Sequence, residues 1–145
     1  MEPDSLASDY DGLTIKLEHG ILKYRKAKVT PKKNGLFVTL WKRNLAGISI
    51  PYHTNDDFDC CIIEVEFEKQ VGFFFFSKNL LVEQAIVSTH TKEGKRGFRV
   101  YPDWDIPQSL QAKKTQTWQC GYFITVAHTN ETNLLKISQL LAPLN

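Results

Sequence analysis

Gly72-Phe73-Phe74-Phe75-Phe76-Ser77-Lys78 is the stretch on which the fold turns. Four consecutive aromatic side chains cannot all share one face of a strand, because successive residues point to opposite sides. A strand carrying them is therefore central and buried on both faces. Upstream, Asp59–Phe67 places Asp59, Cys61, Ile63, Val65 and Phe67 on one face and Glu64, Glu66 and Glu68 on the other. That alternation reads as a strand.

Earlier still, Leu13–Glu18 alternates Leu13, Ile15 and Leu17 with polar neighbours, and Ile21–Val29 reads as a second strand after the turn His19-Gly20. Thr30-Pro31-Lys32-Lys33-Asn34-Gly35 is dense in turn residues, and Leu36–Lys42 follows as a third strand. The three together predict an antiparallel meander. Asn44–Asp57 reads as a long loop.

Downstream of the aromatic strand, Asn79–Val87 has helical spacing, Thr91–Gly97 is a polar glycine loop and Phe98–Tyr101 is a short strand stopped by Pro102. Ser109–Ile124 reads as the main helix, with Leu110, Trp118 and Tyr122 near one side. Asn130–Leu141 reads as a further helix with the apolar stripe Leu134, Ile137, Leu140 and Leu141. Residues 1–11 are polar and read as a frayed end. The expected class is α+β: one domain over 1–145 with a mixed, largely antiparallel β-sheet flanked by helices.

The 145 residues are 42% hydrophobic and 23% charged, ordinary for one globular core. No apolar run is long enough to cross a bilayer, and the acidic start Met1-Glu2-Pro3-Asp4-Ser5 has no secretory pattern. Cys60, Cys61 and Cys120 are odd in number and form no CxxC pair, which fits a reducing, cytoplasmic setting.

Net charge is only +2, but it is arranged in blocks. Residues 19–55 contain no Asp or Glu and hold eight bases: Lys23, Arg25, Lys26, Lys28, Lys32, Lys33, Lys42 and Arg43. Residues 56–68 then reverse the sign with Asp56, Asp57, Asp59, Glu64, Glu66 and Glu68. The blocks either make a positive surface or neutralise each other as cross-strand pairs.

Aromatic residues are interleaved with the bases in Trp41-Lys42-Arg43, in Lys95-Arg96-Gly97-Phe98-Arg99-Val100-Tyr101-Pro102-Asp103-Trp104-Asp105, and around Lys113, Lys114 and Trp118. Cations neutralise phosphates and planar rings stack on exposed bases, so the mixture suits a nucleic-acid groove. Arginine also stacks on tryptophan within proteins, and that explains the same pattern without a ligand. The candidate nucleic-acid-binding residues are Lys28, Lys33, Trp41, Lys42, Arg43, Lys95, Arg96, Arg99, Tyr101, Trp104 and Lys114.

Asp59 is the candidate metal-binding acid, since a carboxylate on an apolar strand face needs a partner or a cation. It reads equally as a strand-start residue that caps the preceding loop. His19, His53, His90 and His128 lack ligand spacing, and GxSxG, GxxxxGK[ST] and GxGxxG are absent. No catalytic residue is assigned and no cofactor is expected, with Mg²⁺ entering only under a nuclease alternative.

The same segments carry a family resemblance. Ala27-Lys28-Val29-Thr30-Pro31-Lys32-Lys33-Asn34-Gly35-Leu36-Phe37-Val38-Thr39-Leu40-Trp41-Lys42-Arg43, the run Gly94–Asp105 and Lys114-Thr115-Gln116-Thr117-Trp118-Gln119 resemble the bacterial MepB-like family over roughly residues 10–126. The resemblance implies a restriction-endonuclease-like core, while DNA or RNA as the partner is the expectation from the basic and aromatic segments. Enzymes of that fold use acids to hold Mg²⁺ and a lysine to position water, in a PD…(D/E)xK arrangement. Here the only (D/E)xK triplet, Glu93-Gly94-Lys95, falls in the glycine loop, so the linear signature fails. A dispersed set, with Asp59 meeting Lys28 or Lys42 in space, stays open. A protein-interaction module using the terminal helix is the non-enzymatic alternative.

Overall fold

The computed structural model describes residues 2–3, 12–31 and 33–126. The aromatic stretch forms β9 (Gln70–Ser77), paired along its length with β8 (Cys60–Phe67) through an antiparallel hairpin. β11 (Phe123–Thr125) pairs on the far side of β9, antiparallel. β3 (Gly20–Lys26) pairs with β8 in parallel, β2 (Leu13–Leu17) pairs with β3, and β1 (Glu2–Pro3) closes the sheet on β2. The order is β1-β2-β3-β8-β9-β11, and β9 is interior as its four phenylalanines require. Glu2–Pro3 thus belongs to the sheet, and the rest of the segment expected to fray, residues 1–11, lies outside the described residues. The expected helix at 130–141 lies outside the described residues.

Both faces of β9 are used. Phe74 and Phe76 join Cys61, Ile63, Val65 and Phe123 in the main core. Phe75 packs on the other face with Leu22, Cys60 and Ile124, and Phe73 flanks that second cluster.

The meander is divided among three sheets, since the strand expected over 36–42 also breaks after Thr39 and its end pairs in a separate two-stranded sheet. The strand expected over 21–29 breaks at the buried Ala27, whose N–H donates to the Glu64 carbonyl at 3.0 Å as the last rung beside β8. The chain then leaves the large sheet as β4 (Lys28–Val29) and pairs with β5 (Leu36–Thr39). β10 (Gly97–Val100) pairs on the other side of β5, giving a three-stranded sheet β10-β5-β4. Hydrophobic period alone does not show this, because the same alternation continues through the break.

Two further expectations are corrected. The loop 44–57 contains β7 (Ser49–Pro51), which pairs with β6 (Trp41–Arg43). Asn44 organises that hairpin: its Oδ1 accepts the N–H groups of Ala46 and Ile48, and Gly47 takes a φ of +80°. The main helix α2 (Leu110–Cys120) stops four residues short of Ile124. A turn at Gly121 releases Phe123 and Ile124 to pair with β9 and fill both faces of the sheet. Leu110, expected on the apolar side of α2, is exposed. The earlier helix α1 (Lys78–Glu83) is capped by Ser77, whose hydroxyl accepts the Leu80 N–H, and the chain leaves it through a left-handed Ala85.

Several side chains attach α2: Gln116 donates from Nε2 to the Pro102 and Asp105 carbonyls (2.9 and 2.8 Å), and Gln119 ties the helix to β10. Gln119, fully buried, donates from Nε2 to the Arg99 carbonyl (2.9 Å) and accepts the Tyr101 N–H at Oε1 (2.8 Å). Its amide thus supplies β10 with the bonds that a neighbouring strand would give.

Candidate nucleic-acid interface

The three-stranded sheet has two unlike faces. Leu36, Val38, Phe98 and Val100 point into the main core. The opposite face follows from register: Lys28 pairs with Phe37, and Phe37 pairs with Arg99. Directly paired residues share a face. Lys28, Phe37 and Arg99 therefore form a row across all three strands, an aromatic ring flanked by two cations. No residue of β4, β5 or β10 is Asp or Glu. Gly97 lets the ring lie flat, since a Cβ there would come within 2.5 Å of the Phe37 ring. The Arg99 guanidinium sits 5.7 Å from the Phe37 centroid, donates to the Asn34 carbonyl (3.2 Å) and bonds the Thr30 hydroxyl (2.7 Å). Those bonds hold it in place and leave its positive charge uncompensated by any carboxylate on the sheet.

The remaining candidates distribute around this row. Leu40 N–H donates to the Arg96 carbonyl, which ties β6 to the start of β10. Arg96 reaches the Ser49 carbonyl (2.9 Å) and Glu93 (3.6 Å). Arg43 stacks 5.2 Å over Trp41 and donates to the Gly47 carbonyl. Trp41, Arg43 and Arg96 are thus one cluster at the end of the sheet, with the arginine–tryptophan stack made inside the protein. Lys33 is exposed at the β4–β5 turn, and Lys114 is exposed on α2, apart from the row.

Lys42 and Trp104 do not join the row. Lys42 forms an ion pair with Asp56, so its charge is largely cancelled. Trp104 packs on the core, edge-to-face with Phe123 at 5.6 Å, and does not offer a free ring. Elsewhere the acidic block does neutralise part of the basic one. Lys26 bridges Glu64 and Glu66, each at 3.5 Å, and its pKa is raised, first by Glu64.

Asp59 precedes β8 and is exposed, and its carboxylate accepts the Ile21 N–H at 2.8 Å. Placing it on the apolar strand face is therefore corrected: it caps a loop. Among the described residues, no three His, Cys, Asp or Glu side chains come together as a cation site. Burial pushes the Cys60 thiol up to about 12, which leaves it without nucleophilic character at neutral pH.

Phe37 is the residue that the sequence reading missed. It stands between Leu36 and Val38 in an apolar run, and only the cross-strand register shows that it faces outward between cations. A cavity of about 410 Å³ between α2 and β10 was missed for the same reason. Lys95, Arg99, Tyr101, Trp118, Gln84 and Gln111 are among the residues that line it, and no acid among the described residues does.

Beside the other end of the sheet, Asp105 lines a smaller cavity of about 240 Å³ with Trp104 and Lys33. Burial raises the Asp105 pKa, and its Oδ2 has no hydrogen-bond partner among the described residues. The folded protein thus holds this proton more tightly than the unfolded chain does. Ionised Asp105 costs stability at neutral pH, and the cost fades as pH falls through the folded and then the unfolded pKa. Asp105→Asn should raise Tm at pH 7, with the gain vanishing by about pH 3, below the usual carboxylate range. Thermal melts across that range check it, and a gain independent of pH would refute it.

The geometry defines a mixed α+β protein whose smaller sheet has an aromatic and cationic face, with no Asp or Glu in its three strands. The family model for MepB-like proteins matches residues 4–125, and the chain belongs to the MepB-like family. It is similar to a protein whose crystal structure is that of MepB, with 36% sequence identity and a TM-score of 0.84, over 88% of this chain and 85% of that one. No curated protein matches. Among the described residues, no helix is long and apolar enough to cross a membrane.

Proposed function

We propose that this chain binds nucleic acid, DNA or RNA, on the outer face of the three-stranded sheet. The observation that carries the reading is the row Lys28–Phe37–Arg99. A phosphate backbone crossing the strands meets a cation on each side, and a base between them has the Phe37 ring to stack on. Stacking tolerates any base, so this recognition has little sequence preference. Lys33 and Arg43 extend the positive track beyond the row.

With about four phosphates neutralised, log K should fall against log [salt] with a slope near −3 to −4. Arg99→Ala should weaken binding and reduce the slope by about 1, as loss of one phosphate contact does. Phe37→Ala should cost about 1–3 kcal/mol of affinity with the slope unchanged. Lys42→Ala should change little, because Asp56 already compensates that charge. Fluorescence anisotropy with labelled single and duplex strands at several salt concentrations measures all three. Absence of saturable binding at low salt, or equal effects of Lys42→Ala and Arg99→Ala, would overturn the proposal.

A further inference from the structure

We infer that the cavity between α2 and β10 receives one unpaired nucleotide, so that the protein selects single strands. The inference rests on the nucleic-acid reading for its ligand, and on the cavity itself for its geometry. The cavity adjoins the row, since Arg99 lines it together with Phe98 and Tyr101. A strand crossing the outer face reaches the pocket at the edge of that sheet, by way of Lys95 at the entry to β10.

The size and the lining both fit a nucleotide. About 410 Å³ lies in the range of small-ligand sites. Trp118 and Tyr101 provide aromatic walls, and Trp118 is held by its packing on Phe76 at 5.2 Å. A wall fixed in this way can stack on a base without first being ordered. The side-chain amides of Gln84 and Gln111 have no hydrogen-bond partner among the described residues, and each offers both a donor and an acceptor to a base edge. Gln119, by contrast, is committed to β10 on both sides. For the phosphate, Lys95 supplies the charge, and its ammonium is engaged in no ion pair among the described residues.

A paired base has its Watson–Crick edge occupied by its partner and cannot offer it to these amides. Duplex must therefore be opened before the pocket is filled, at a cost of a few kcal/mol per base taken out of the stack. That cost is the source of selectivity. It separates the pocket from the sheet row, which grips the backbone of either form.

The test compares a single strand with a duplex of equal length at one salt concentration, and adds a nucleoside 5′-monophosphate and inorganic phosphate as separate titrants. Lys95→Ala and Gln111→Ala are the variants, both exposed positions whose melting should match the parent. The single strand should bind at least tenfold tighter than the duplex. Both variants should weaken the single strand about tenfold and leave the duplex unaffected, whereas Arg99→Ala weakens both. The monophosphate should bind more tightly than phosphate alone and compete with the single strand.

Equal affinity for single strand and duplex, with Lys95→Ala and Gln111→Ala silent, overturns the pocket and leaves the sheet reading intact. Monophosphate binding that depends on Lys95, with no binding of either polymer, keeps the pocket and overturns the nucleic-acid reading. Phosphate binding as tightly as the monophosphate reduces the cavity to an anion site and overturns the assignment. No binding of any titrant overturns both.

Discussion

Replacing Gln119 by Leu should lower stability by about 2–4 kcal/mol, although the side-chain volume hardly changes. The loss comes from hydrogen bonds. Gln119 is fully buried and satisfies the Arg99 carbonyl and the Tyr101 N–H together. Leucine leaves both groups without a partner in a site already filled by its own side chain. Each buried, unsatisfied backbone group costs about 1–3 kcal/mol. Gln119→Glu separates this cause from simple misfit. A carboxylate accepts the Tyr101 N–H but cannot donate to the Arg99 carbonyl, whereas the protonated acid does both. The Glu variant should therefore recover stability as pH falls, and the Leu variant should not. Urea unfolding followed by circular dichroism at two pH values measures both. If Leu is tolerated within 1 kcal/mol, α2 is held by its apolar contacts and not by this amide. Since α2 forms one wall of the cavity, the Leu variant should also lose single-strand binding more steeply than duplex binding.

The contrast between Gln119 and Phe73–Phe76 shows what the sequence could and could not reveal. Four adjacent phenylalanines admit one arrangement in a sheet, and β9 has it, interior and buried on both faces. The parity of Cys61, Ile63 and Val65 is equally direct, because burial enforces it on every second residue. Gln119 sits in a polar helix, and nothing near it in sequence shows that its amide completes a strand edge about 20 residues away. The split at Ala27 was hidden for a related reason. Period-2 alternation reports which face a residue takes, not which sheet it takes it in.

The candidate site was legible in chemistry and not in geometry. Arg99 stands out in the interleaving of bases and rings and Lys28 in the acid-free basic block, but the ring between them, Phe37, is concealed in an apolar run. Trp104 and Lys42 have the right residue types and the wrong surroundings, one packed on Phe123 and the other paired with Asp56. Asp59 shows how the end of a strand changes a role. Its backbone bonds Ile21 and Lys78 on either side, yet at this end of β8 its carboxylate is exposed and accepts the Ile21 N–H.

Phe76→Ala is expected to be the most damaging single truncation, costing about 3–5 kcal/mol. Phe76 is fully buried, with ring centroids at 5.3 Å to Phe74, 6.3 Å to Phe98, 5.2 Å to Trp118 and 6.3 Å to Tyr122. It is where the large sheet, the small sheet and α2 meet, so no one of these elements can move in to fill the space without leaving another. Partial collapse is what makes some cavities cheap, and this site resists it. Phe76→Leu keeps most of the volume and should cost less, about 1–1.5 kcal/mol. Phe73 is the internal control: it has the same residue type on the same strand but is half-buried on the opposite face, and Phe73→Ala should cost clearly less than Phe76→Ala. Chemical unfolding ranks the three, and equal costs at 73 and 76 would contradict the two-faced burial of β9. The functional consequence follows from Phe98 and Trp118, which both touch Phe76 and both line the cavity. Without the ring beneath it, Trp118 loses the contact that fixes its plane. Phe76→Ala, assayed at a temperature where it is still folded, should bind single strands more weakly while its duplex affinity stays near that of the parent.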